Sequence, residues 1–253
     1  YDRLIHIMDP DGGSAHRFAM YPQYKGKRSP THPVLCAQKA LLKMVLESLN
    51  QTVVRINGVE SDDVIASLAQ KFYERGDEVL VLTSDKDLMQ LVKDGKVVLA
   101  RYIEQGPGLS KTYEFYEEQD VQQKFGVRPD QIADWLALVG DAVDNIPGVP
   151  KVGEKTATKW LEQYGSLASL MTHADEIKGS LGERLRENLS DLPLYRQLTG
   201  MIPIQIDIPE EHVSTSEQVK WARDILQMPS HWPDDINGDL RDPTPAPTRA
   251  HRP

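Results

Sequence analysis

The first half of the chain alternates short apolar runs with longer stretches of helical spacing. Residues 3–8 and 53–56 read as short strands, and 78–83 and 96–102 as further β-branched and apolar strands. Between them, 31–50 carries Val34, Ala37, Leu41, Met44, Val45 and Leu49 at helical spacing. The stretch 60–72 opens on acidic residues and turns Val64, Ile65, Leu68 and Phe72 to one side, while 85–91 reads as a short helix. Strands alternating with helices predict an α/β domain with a mainly parallel sheet covered by helices on its faces. Past about residue 117 the pattern becomes helical only. Helices are expected at 121–125, 129–139, 154–164, 167–172 and 181–189, mostly set apart by Gly or Pro, with a closing strand at 202–208.

The domain expectation is therefore 1–116 for the α/β part, 117–208 for a helical subdomain and 209–253 for an extension. Beyond about residue 229 that extension turns polar and proline-rich and reads as disordered. A chain of 253 residues with 40% hydrophobic content is enough for one large domain or two modest ones. No run reaches the roughly 18 apolar residues of a membrane span. Cys36 is the only cysteine, which excludes a disulfide framework and a cysteine-based zinc site. It reads as a small core residue, in a chain suited to the reducing cytoplasm. The net charge of −9 disfavours non-specific nucleic-acid binding, but basic residues cluster locally at 25–28 and at Lys151, Lys155 and Lys159.

The candidate chemistry lies in acids placed just past apolar stretches: Asp9; Glu60, Asp62 and Asp63; Asp85 and Asp87; Asp141 and Asp144. Each group alone could be a helix cap, a first-turn acid or a turn former. Their recurrence is harder to attribute to solubility. Carboxylates gathered at one edge of an α/β sheet repel one another unless cations offset them, and hard divalent metals prefer oxygen ligands. The set reads as a two-metal site for cleaving phosphodiesters. Two further segments suit nucleic acid. In 21–28, Tyr24, Lys25, Lys27 and Arg28 combine an aromatic ring with cations, as stacking on unpaired nucleotides requires. In 148–157, Gly148, Lys151, Gly153, Lys155 and Thr156 surround a glycine turn that opens a helix, a geometry for a DNA backbone phosphate. The seven histidines show no metal-binding spacing.

Taken in order, Glu-Ser-Asp-Asp-Val-Ile, Thr-Ser-Asp-Lys-Asp-Leu, Gly-Asp-Ala-Val-Asp-Asn-Ile-Pro-Gly and Val-Gly-Glu-Lys-Thr-Ala resemble the 5′–3′ exonuclease (flap endonuclease) family. With Ile-Met-Asp and Tyr-Lys-Gly-Lys-Arg, the resemblance covers residues 3 to about 208. It implies a PIN-like sheet domain followed by a helix–three-turn–helix subdomain. It also implies removal of 5′ flaps and RNA primers from nicked or gapped DNA with two Mg²⁺ or Mn²⁺ ions. By motif position, Asp9, Glu60, Asp62, Asp63, Asp85 and Asp87 would surround the first metal and Asp141 and Asp144 the second. Lys25 and Arg28 would be catalytic cations at the base of an arch over the flap, with Arg17 nearby on the DNA. Residues 148–157 would grip the duplex with a bound K⁺. The resemblance further implies a monomer, fused to or acting with a DNA polymerase or standing alone.

In the family a strand ending in a metal-binding Asp-Gly comes before the position of Asp9, and the sequence read here starts after that point. A non-catalytic DNA-binding relative and a PIN-type ribonuclease are the alternatives. The helical subdomain argues against the second.

Overall fold

A computed structural model of the chain describes residues 3–10, 12–104 and 111–210. The expected disordered tail lies outside the described residues. In chain order the elements are β1 (Ile5–Ile7), α1 (Ala15–Met20), α2 (Pro33–Ser48), β2 (Thr52–Val54), α3 (Ser61–Arg75) and β3 (Val79–Leu82). A 3-10 turn at Lys86–Leu91 leads to β4 (Val97–Glu104), β5 (Lys111–Tyr116) and α4 (Glu118–Phe125). A second 3-10 turn at Pro129–Gln131 runs into α5 (Ile132–Val139). Four more helices follow: α6 (Glu154–Tyr164), α7 (Leu167–Thr172), α8 (Gly179–Glu187) and α9 (Leu192–Thr199).

The chain divides into two compact units that interleave in sequence. Among the described residues, one comprises 3–9, 30–55 and 208–210, and the other 10, 12–29, 56–104 and 111–207. In the first unit β1 pairs in parallel with β2, Ile5 opposite Thr52 and Ile7 opposite Val54. Its α2 opens with Pro33 in the first turn, where a missing N–H costs nothing. The six apolar positions expected to face inward divide. Val45 and Leu49 are buried, whereas Val34, Leu41 and Met44 are exposed. Cys36 is also exposed, which corrects its reading as a core residue. Helical spacing marks which residues share a face, but an apolar face is buried only where another element covers it.

The second unit contains β3 and β4 in parallel and β4 and β5 antiparallel, so β5 forms an antiparallel edge that the pattern of 103–117 did not announce. One face of this sheet buries Val81, Val97, Leu99 and Tyr116 against a continuous core that also takes Leu88, Met89, Val121 and Ile132. The same core runs through the helical part, with Leu136, Leu138, Leu161, Leu170, Leu185 and Leu192 almost fully enclosed. Asp134, on α5, accepts the Leu167 N–H at 2.8 Å and is ion-paired to Arg196, fastening α5, α7 and α9. α3 ends on Gly76 at φ 93°, a left-handed stop that glycine adopts without a Cβ clash.

The strand expected at 202–208 does not form, and residues 201–210 have no regular secondary structure. Its alternating Ile residues fit a strand, but two of its backbone donors are taken by α3 side chains. Ile202 N–H donates to Asp63 Oδ1 at 2.8 Å and Ile204 N–H to Ser67 Oγ at 3.0 Å. With those donors used there is no ladder to join.

Candidate active site

The site belongs to the second unit, and it is built where three sequence-distant acidic turns converge on one basic segment. Glu60 stands at the N-cap of α3, with Asp62 and Asp63 in its first turn, where the positive end of the helix dipole favours carboxylates. Asp85 caps the next turn by accepting the Asp87 N–H at 2.9 Å. Asp141 Oδ1 accepts the N–H groups of Val143 (2.7 Å) and Asp144 (3.1 Å), folding the loop after α5 back on itself. That loop closes tightly because Gly140 and Gly148 lie backbone to backbone. A Cβ on Gly148 would sit 2.4 Å from the Gly140 nitrogen.

Together Glu60, Asp62, Asp87, Asp141 and Asp144 line a small cleft of about 20 Å³ with Arg17, Tyr24 and Thr199. That space holds about one water-sized particle. Asp87 Oδ1 is buried without a hydrogen-bond partner. Burial, and then the charge of Asp85 reinforced by Asp141 and Asp144, pushes the Asp87 carboxyl up to about 7, against a partial opposing pull from Lys86.

Cations answer this charge from the segment 17–28. Tyr24 is buried, and its hydroxyl, with one proton to donate, lies 2.9 Å from Asp144 Oδ2 and 3.1 Å from Glu60 Oε2. Burial and the two carboxylates hold its pKa far above the ordinary phenol range, so the O–H stays a donor. Lys25 Nζ pairs with Glu60 Oε1, and Arg28 Nη2 with Asp144 Oδ1 at 2.6 Å. The segment is fixed by backbone as well: Lys25 N–H donates to the Asp144 carbonyl at 2.9 Å, and Asn145 Nδ2 to the Gln23 carbonyl at 2.8 Å. Lys25 sits at φ 54°, a left-handed backbone strained for a side chain with a Cβ.

Each expected residue can now be placed. Glu60, Asp62, Asp87, Asp141 and Asp144 are brought together. Asp85 is exposed beside them through its contact with Asp87. Asp9 is exposed and belongs to the first unit. Lys27 and Arg28 are exposed and Lys25 half-buried.

Three expectations change. Arg17 is buried among carboxylates and carbonyls and has no surface to offer DNA. Tyr24 is 2% exposed, so its ring is not open for stacking on a base. Gly148 is buried and serves the Gly140 contact, not a phosphate. In the same segment Lys151, Gly153 and Lys155 are exposed and Thr156 half-buried, with Gly153 capping α6. Lys151 adopts φ 64°, the left-handed conformation that glycine takes more readily.

Sequence reasoning passed over Lys86, whose ammonium lies 3.4 Å from Asp141 Oδ2. Its position between Asp85 and Asp87 was the available signal.

The donor set fits a hard divalent cation in its chemistry: oxygen-only ligands, mutual repulsion and one buried carboxylate oxygen with no hydrogen bond among the described residues. As the side chains stand, no three of the described His, Cys, Asp and Glu residues converge closely enough to hold one ion. Lys25, Arg28 and Lys86 take up carboxylate oxygens in this arrangement.

Two family models cover most of the chain: 5′-3′ exonuclease, N-terminal resolvase-like domain, over residues 1–126, and 5′-3′ exonuclease, C-terminal SAM fold, over residues 127–221. DNA polymerase I of Mycobacterium tuberculosis H37Rv is 41% identical over 211 residues, which are 83% of this chain and 22% of that protein. The thermostable DNA polymerase I of Thermus aquaticus is 36% identical over 232 residues, 90% of this chain and 27% of that protein. The chain thus spans about a quarter of the length of the curated relatives it matches.

Among solved structures, the T5 D15 protein crystallised with metal ions aligns with a TM-score of 0.66 at 24% identity, covering 78% of this chain and 75% of that one. The catalytic core of Rad2 in complex with DNA aligns with a TM-score of 0.56 at 14% identity, covering 92% and 75%. These two likenesses establish the fold. The ordered acidic turns, the sheet and helical parts and the two family matches agree: the chain belongs to the 5′-3′ exonuclease family.

Proposed function

We propose that the chain is a metal-dependent 5′–3′ exonuclease and flap endonuclease that hydrolyses DNA phosphodiester bonds, in primer removal and repair. The observation that carries this reading is the cleft in which Glu60, Asp62, Asp87, Asp141 and Asp144 meet with Lys25 and Arg28 beside them. In the proposed reading these acids, with Asp85, hold two Mg²⁺ or Mn²⁺ ions. Such ions supply a nucleophilic hydroxide at neutral pH and stabilise the leaving oxygen. The residues themselves do the rest. Asp141 holds the turn that presents Asp144. Tyr24 spaces Asp144 from Glu60 through its hydroxyl. Lys25 and Arg28, now on Glu60 and Asp144, carry the positive charge that the developing phosphate charge requires.

DNA is proposed to run from the exposed Lys27 and Arg28 to the exposed Lys151, Gly153 and Lys155, with the amides opening α6 facing a backbone phosphate. K⁺ at that turn is part of the same proposal, as is a division into a catalytic domain through residue 116 and a DNA-binding subdomain over 117–208. The test is Mg²⁺-dependent cleavage of a 5′-flap duplex by the whole chain. Asp144→Ala is expected to lower the rate at least a hundredfold, and undiminished cleavage by that variant sinks the assignment.

A second reading, DNA binding without cleavage, draws on the lack of three converging carboxylates among the described residues. Tight flap binding with no Mg²⁺-dependent product would favour it.

A further inference from the structure

We infer that Arg17 and Asp63 form a buried clamp that positions Glu60 and Asp62, and that Asp63 binds no metal although it adjoins Asp62. The inference rests on the reading that the cleft holds divalent cations.

The arginine is saturated. A guanidinium has five N–H donors in a fixed fork, and all five are used. Nε donates to the Leu198 carbonyl at 3.2 Å. Nη1 donates to Glu60 Oε2 at 2.9 Å and Asp63 Oδ2 at 2.6 Å. Nη2 donates to Asp63 Oδ1 at 2.8 Å and the Gly200 carbonyl at 2.9 Å. Asp63 is held at both oxygens, with three of its roughly four acceptor sites used. Its Oδ2 and Oδ1 accept the two arms of that fork, and Oδ1 also accepts the Ile202 N–H at 2.8 Å. Burial alone would lower the Arg17 pKa, but the hydrogen bonds and charge of Asp63, followed by the charge of Glu60, raise it above its ordinary value.

Consecutive helical residues point about 100° apart. Asp62 lines the cleft and Asp63 does not. The two adjacent acids therefore divide the work. Asp63 turns inward to hold Arg17, which joins α1, the first turn of α3 and the end of α9. Asp62 turns to the cleft, and Glu60 is left with one oxygen on Arg17 and Tyr24 and the other on Lys25.

The experiment is a Mn²⁺ titration followed by electron paramagnetic resonance on the whole chain, paired with thermal melts. Asp62→Asn is expected to weaken Mn²⁺ binding at least tenfold. Asp63→Asn is expected to stay within threefold of the parent while melting at a lower temperature. Removing one member of a buried ion pair strands the other, so Arg17→Met/Asp63→Asn should melt higher than Arg17→Met alone, or fold where Arg17→Met does not. Arg17→Lys keeps the charge but loses the fork. It should weaken Mn²⁺ binding severalfold, with no such loss in a Glu60→Gln background.

The clamp is overturned if Asp63→Asn weakens Mn²⁺ binding as much as Asp62→Asn with an unchanged melt, or if the double variant melts no higher than Arg17→Met. The positioning role falls if Arg17→Lys binds Mn²⁺ like the parent. A parent chain that binds no Mn²⁺ defeats the metal reading instead, while the melts still decide the clamp.

Discussion

Asp87 shows how one side chain can be held against its own preference. Its carboxyl is pushed up to about 7 by burial and by the neighbouring acids Asp85, Asp141 and Asp144. An unfolded aspartate loses its proton near pH 4. Between about pH 4 and 7 the folded chain therefore binds more protons than the unfolded one, and stability falls as pH rises through that window. Above about pH 7 the full penalty applies, on the order of a few kcal/mol. Asp87→Asn should consequently melt higher than the parent at pH 8 in EDTA, with the gap closing by pH 4. Thermal melts at both pH values check this, and a gap independent of pH refutes the cause given.

Lys25 carries a second local cost, its left-handed backbone at φ 54°, which places its amide on the Asp144 carbonyl. The acids themselves were legible in the sequence by residue type and spacing. The direction of each was not. Whether Asp62 or Asp63 faces the cleft depends on the roll of α3, which its tertiary contacts set.

At the scale of elements, the loop between α5 and α6 is the most constrained piece of the site. Gly140 and Gly148 have φ of 84° and 65° and touch through backbone, and the turn between them carries Asp141 and Asp144. Gly148→Ala adds a Cβ into that contact and forces an L side chain into a left-handed backbone. The expected cost is about 2–5 kcal/mol, with weaker Mn²⁺ binding because both acids move. Urea denaturation and the same titration measure it, and a neutral Gly148→Ala would show that the contact relaxes freely.

Most helices were visible from apolar spacing, and α6 and α7 have the expected limits. The helix α9 was not announced, although Leu192, Tyr195 and Leu198 fall on one buried face. It is short, and about two turns of periodicity compete with loop patterns. The strand expected at 202–208 failed for a different reason. The neighbouring α3 supplied side-chain acceptors at Asp63 and Ser67 before any strand did.

For the whole molecule, a net charge of −9 looks at odds with a DNA-binding role. The conflict eases because cations are exposed locally: Lys27, Lys151 and Lys155 in the second unit, and Arg28 beside the cleft acid Asp144. If those four cations meet phosphates, the logarithm of DNA affinity should fall against the logarithm of salt with a slope of about −3.6. Lys155→Ala should flatten that slope by about 0.9. Fluorescence anisotropy across a salt series reads both, and a slope near zero removes the proposed path for DNA.

The sequence by itself determined the family, the alternation of strands and helices, the helical second half and the acidic motifs, because each is written in residue type at short range. Tertiary structure alone decided which of those acids share a cleft, that Arg17, Tyr24 and Gly148 face inward, and that Asp63 is spent on Arg17. Apart from Gly148, which packs on the nearby Gly140, those outcomes depend on contacts between segments far apart in the sequence, such as Arg17 with Leu198. Local pattern cannot encode them, because a hydrogen bond across the fold depends on where both partners end up.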